Sequence, residues 1–174
     1  MSRLQRPFSL AEKLLLAVIP LGLLHHLDHV LRGDHSGWPF ESDLTPFTPT
    51  LLVYAFDISV LLARARPWYR VGVLSADVAL VLLTHLFVET PNRLFGTWAN
   101  NASSAAHALG EPNRLGMESP LLGVVSLVVV TLLLIGLVAT WAAFLREAME
   151  QRAERVSAGD PAGLAAAAKR PQVP

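Results

Sequence analysis

Cysteine is absent from the 174 residues, which removes disulfides, thiolate nucleophiles, iron–sulfur clusters and cysteine-based zinc sites. Any metal would have to be held by histidines and carboxylates. Charge is scarce as well: 16 % of the residues are charged, against roughly 25 % in a soluble domain. What fills the chain instead is apolar. Hydrophobic residues make up 52 % of it and the mean hydropathy is +0.43, the composition of a membrane protein. The formal net charge is zero, so no basic excess points to nucleic acid, and none is expected as a partner. The partners expected are the lipid bilayer and either other membrane subunits or further copies of the chain.

Four apolar stretches can be separated by their start and stop signals. Ser9-Leu10-Ala11-Glu12 matches the capping box that opens a helix. The apolar run that follows, residues 14–24, is eleven residues long, too short alone to cross about 30 Å of hydrocarbon at 1.5 Å per residue. It spans only if the histidine-rich stretch after it belongs to the helix. A basic start before a short apolar run also suits a signal peptide, but no small-x-small cleavage site follows. The segment therefore reads as an uncleaved first helix, kinked at Pro20.

Gly33, Gly37, Pro39 and Pro46 predict a loop, and Thr48-Pro49 predicts the start of a second helix that carries Asp57 to about residue 63. Arg64, Arg66 and Arg70 surround Pro67-Trp68-Tyr69, which reads as a short basic turn. A third helix over about 71–88 carries Asp77 and His85, with Glu89 at its end, and Thr90-Pro91 reads as its stop. Residues 90–118 read as a long polar loop. Ser119-Pro120 opens the last helix, whose residues 121–145 include no charge. After Arg146 a short charged helix and an Ala, Gly and Pro tail are expected, the tail having too few large apolar groups to fold.

The expected fold is all-α, a four-helix transmembrane bundle with spans over about 10–32, 48–64, 70–89 and 120–145. Residues 1–147 would form the membrane domain and 148–174 a cytoplasmic, largely disordered tail. With four spans, eleven of the fourteen Lys and Arg residues fall on the side of both termini and of the 64–70 turn. The other side has Arg32, Arg93 and Arg114. The positive-inside rule then makes both termini cytoplasmic and the histidines extracytoplasmic, in the plasma membrane of a prokaryote.

The chemistry concentrates in His25-His26-Leu27-Asp28-His29 at the outer end of the first helix. His25 and His29 are four apart and share a helical face, as do His85 and Glu89 at the outer end of the third. Ionisable groups inside spans mark function by default. His25, His29, His85 and Glu89 are therefore candidate ligands for a transition-metal ion (Zn, Cu, Fe or Mn), with Asp28, His26 and His35 as secondary ligands. The spacing is not that of zinc proteases, because His26 stands where their glutamate base belongs. A b-type haem held by His29 and His85 is the alternative cofactor. Asp57 and Asp77 lie deeper. They suggest either a proton relay or interhelical hydrogen bonds to Ser59, Ser75, Thr84 or Tyr54. Tryptophans 38, 68, 98 and 141 suit interfacial anchoring, and Gly136 with Thr140 suits close helix packing.

The leading function is a membrane protein that holds a metal ion. Metal-activated water or redox chemistry on a membrane-soluble substrate is compatible with it, and no catalytic residue is assigned. The opposing reading is a non-catalytic accessory or structural subunit of a membrane complex.

Overall fold

The first helix begins and ends where local chemistry demands. In the computed structural model, which describes residues 7–33, 44, 48–105 and 108–157, α1 spans Leu10–Arg32. Ser9 Oγ accepts the Glu12 N–H at 3.2 Å and Glu12 Oε2 accepts the Ser9 N–H at 3.0 Å, so two otherwise orphaned donors are satisfied reciprocally. Gly33 closes the helix at φ +69°, a left-handed conformation that glycine adopts without strain. Pro20 lies inside the helix.

After a 3-10 turn over Thr48–Leu51 comes α2, Leu52–Leu62. The third helix, α3, runs Pro67–Leu83. It starts earlier than the sequence suggested: Pro67, Trp68 and Tyr69 form its first turn, because a proline has the right φ for the first helical position and lacks an N–H that would have gone unused there. Its end widens into a π-helical turn over Thr84–Val88, closed by a hydrogen bond of 2.8 Å from the Glu89 N–H to the Thr84 carbonyl.

Two expectations need correction. Residues 90–118 are not simply a loop, since Pro91–Ala99 form a further helix, α4, with Thr90 in the position before its first turn and Pro91 within that turn. Thr90-Pro91 both stops one helix and starts the next, the same signal that opens residues 48 and 119. The last helix, α5, runs unbroken over Pro120–Ser157, 38 residues. The charged segment after Arg146 is its continuation, with Ala148 fully buried and Arg146 paired to Glu150 one turn on at 2.8 Å. The expected disordered tail beyond residue 157 and His35 lie outside the described residues.

Among the described residues every element is helical. Leu10–Arg32, Pro67–Val88 and Pro120–Ser157 are long and apolar enough to cross a membrane, while Thr48–Leu62 is apolar but shorter. The contacts set the directions. Glu12 at the start of α1 meets Arg70 at the start of α3, and His25 near the end of α1 meets His85 near the end of α3, so α1 and α3 run parallel. Ser126 near the start of α5 meets Asp28, and Phe144 farther along meets Arg70, so α5 runs the opposite way.

The apolar core is densest at the Glu12 end, where Ala11, Leu15, Val60, Leu74, Phe144 and Ala148 pack together. Val18, Leu133 and Leu137 continue it. Close approach of α5 to its neighbours depends on two glycines. A Cβ at Gly136 would meet Val18 Cγ2 at 2.8 Å, and one at Gly123 would meet Phe95 Cδ2 at 2.8 Å and the Phe95 carbonyl at 3.0 Å. Around Gly72, exposed on α3, nothing lies within 4 Å.

Gly123→Ala should therefore destabilise the detergent-solubilised protein by about 1–3 kcal/mol, the typical cost of overpacking. Gly72→Ala should be neutral or stabilising by up to about 1 kcal/mol from helix propensity. Thermal unfolding of the two variants side by side checks the packing, and equal effects would contradict it.

Candidate metal centre

The parallel course of α1 and α3 brings four ionisable side chains to one end of the bundle. One ligand atom from each of His25, His29, His85 and Glu89 lies within 4.8 Å of all the others. His25 Nε2 is 3.0 Å from His29 Nε2 and 2.9 Å from His85 Nε2. Glu89 Oε2 is 2.9 Å from His29 Nε2 and 3.8 Å from His85 Nε2. His25, His85 and Glu89 are buried, and His29 is partly so. Across the π-helical turn Leu86 and Phe87 face outward, 62 % and 73 % exposed, while His85 and Glu89 at either side stay inside.

Partner chemistry assigns the protons. An arginine can only donate, and Arg32 Nη2 lies 3.0 Å from His29 Nδ1, so that nitrogen accepts. A neutral His29 then carries its proton on Nε2, facing Glu89. His85 is the reverse: its Nδ1 lies 2.7 Å from the Val81 carbonyl and must donate, leaving the Nε2 lone pair directed into the cluster. A neighbouring carbonyl that fixes the ring in this way is the usual support for a metal-binding imidazole. His25 Nε2 stands between the other two. Its Nδ1 is buried with no hydrogen-bond partner.

Arg32 is the residue whose role the sequence did not disclose. Read as a positive charge outside the membrane, it is 1 % exposed. It pairs with Glu89 Oε1 at 2.5 Å and, through Nε, with Asp28 Oδ2 at 2.9 Å. Asp28 is taken up further by the Trp98 indole N–H at 2.8 Å and the Ser126 hydroxyl at 2.5 Å. It is thus directed to Arg32, α4 and α5, away from the histidine nitrogens, and Trp98 is a buried donor in place of an interfacial anchor. The one available hint was the four-residue spacing from Asp28 to Arg32. Trp98 carried none, because its helix was not recognised. With imidazoles neutral, the two carboxylates and Arg32 leave the cluster one negative charge, favourable to a cation.

Below the cluster the packing opens into a cavity of about 110 Å³ that reaches His25, His26 and His85 at one end and Asp57 and Asp77 at the other. The two aspartates are buried, each 5 % exposed. Two of the hydrogen-bond partners expected for them are engaged elsewhere. Ser59 Oγ donates to the Phe56 carbonyl and meets Tyr69 OH, while Ser75 Oγ donates to the Val71 carbonyl and accepts from Trp141.

Replacing Arg32 by Met should cost about 3–5 kcal/mol, because it leaves buried carboxylates uncompensated. Trp98→Phe, which keeps the ring but loses the bond to Asp28, should cost about 1–3 kcal/mol. Thermal unfolding in detergent orders the two, and a near-neutral Arg32→Met would refute the account of the clamp. Comparison with known proteins finds no significant match among family models, curated proteins or solved structures.

Proposed function

We propose that this chain is an integral membrane protein of four crossings whose histidine cluster, near the extracytoplasmic face, binds one transition-metal ion. One observation carries the reading: donor atoms from two helices, sixty residues apart at His25 and His85, converge within 4.8 Å. Tetrahedral ligands at about 2.0–2.1 Å from a zinc ion stand roughly 3.3 Å from one another. Four of the separations here run from 2.9 to 3.8 Å, so the cage has nearly that size and would close slightly across its widest pair. His25, His85 and Glu89 are the readiest ligands. His29 joins them once Arg32 releases its Nδ1, since a ring bound through Nε2 needs its proton on the other nitrogen.

The mixed imidazole and carboxylate set suits Zn, Cu, Fe or Mn. Haem between His29 and His85 is less well supported, because His25 Nε2 is 3.0 Å from one and 2.9 Å from the other and so stands in the space a macrocycle would need. Four crossings are supported by the parallel course of α1 and α3, which obliges the chain between them to return the length of the bundle. The 3-10 turn and α2 together reach about 25 Å at roughly 2.0 and 1.5 Å per residue. The distribution of Lys and Arg supports cytoplasmic termini.

Elemental analysis of protein purified in detergent is expected to give about one equivalent of one such metal. His25→Ala, His85→Ala and Glu89→Gln should each weaken binding at least tenfold, and Asp28→Asn should weaken it less. Metal-free wild-type protein that gains no stability from any of the four metals would leave the accessory-subunit reading standing. A Soret band would favour haem.

A further inference from the structure

The cavity holds a second set of polar groups that the histidine cluster does not use. Asp57 on α2 and Asp77 on α3 are 95 % buried by their 5 % exposure, and Oδ1 of each has no hydrogen-bond partner. Both line the cavity, as do Tyr54 and Thr84, and no arginine or lysine is among its lining residues. His25, whose Nδ1 is also buried without a partner, borders the same space. Two ionised carboxylates in an apolar bundle are costly unless positive charge reaches them. No side chain in the cavity wall supplies a permanent one.

We propose that Asp57 and Asp77 form a second cation site, made wholly of oxygen donors and suited to a hard metal cation such as Na⁺, Mg²⁺ or Ca²⁺. Carboxylates with the Tyr54 and Thr84 hydroxyls supply the ligand chemistry such ions prefer, whereas the imidazole set above prefers borderline transition metals. About 110 Å³ exceeds the roughly 10–15 Å³ that one water needs, so an ion can keep part of its hydration shell there. The wall is otherwise aliphatic, with Leu80, Leu133 and Leu137 among its members, which strengthens the attraction between carboxylate and cation. The site is independent of the histidine cluster, and either can fail without the other.

The test uses the full chain in detergent, with N-methylglucamine as the inert cation and Na⁺, Mg²⁺ and Ca²⁺ compared at equal ionic strength. One of the three should raise the unfolding temperature saturably and bind at one equivalent in equilibrium dialysis. Asp57→Asn and Asp77→Asn should weaken that binding at least tenfold. Should the Asn variants not fold, Tyr54→Phe and the wild-type stoichiometry decide the matter. The proposal is overturned if none of the three ions binds saturably, if binding survives in both Asn variants, or if infrared spectra show both carboxyls protonated at neutral pH at every cation concentration.

Discussion

An ionisable side chain inside an apolar bundle must find a partner on a neighbouring helix, and here two such pairings join the same two helices at opposite ends. Glu12 holds Arg70 at 2.9 Å, with Arg64 beside it at 3.0 Å. At the other end Arg32 and His29 hold Glu89. Twenty residues of α1 separate Glu12 from Arg32, and nineteen of α3 and its π-helical turn separate Arg70 from Glu89. At 1.5 Å per residue both intervals are about 30 Å, the thickness of a hydrocarbon layer. The clamps therefore fix direction and register together: sliding one helix by a residue would strain both at once.

Much of this organisation could be read from residue spacing. The capping box at Ser9, the proline at residue 120 and the long apolar runs are local signals, and local signals suffice for helix existence. The pairing of His25 and His29 with His85 and Glu89 needed only helix direction and period. Other features were hidden because they depend on tertiary partners. Thr90-Pro91 stops one helix and starts another, and nothing local reveals that the second will bury Trp98. Arg32 looked solvated from its position after an apolar run, and only Asp28 and Glu89 explain its burial. The continuation of α5 past Arg146 was masked by a change of composition, since a helix can leave an apolar environment without ending.

The histidine cluster has one arrangement in the structure and a second under the metal binding proposed for it. In one, protons satisfy it: Arg32 donates to His29, His29 to Glu89, and His85 to the Val81 carbonyl. In the other, lone pairs from the imidazoles and an oxygen of Glu89 would converge on a cation. Changing from one to the other would move protons between ring nitrogens and require Arg32 to loosen its hold on His29. Arg32 is thus a permanent internal counter-ion to Glu89, which keeps the carboxylate in place whichever state prevails.

The length of α5 has a consequence for whatever lies beyond it. A helix of 38 residues is about 57 Å long at 1.5 Å per residue, nearly twice the thickness of a hydrocarbon layer. Residues 146–157 extend it by about 18 Å past the end of the uncharged run at residue 145. That portion is a stiff post, braced at its base by Ala148 in the core. Anything attached to its far end is held at a fixed stand-off from the bilayer, and a rotation of α5 about its axis inside the bundle would be delivered there as a rotation of the same angle.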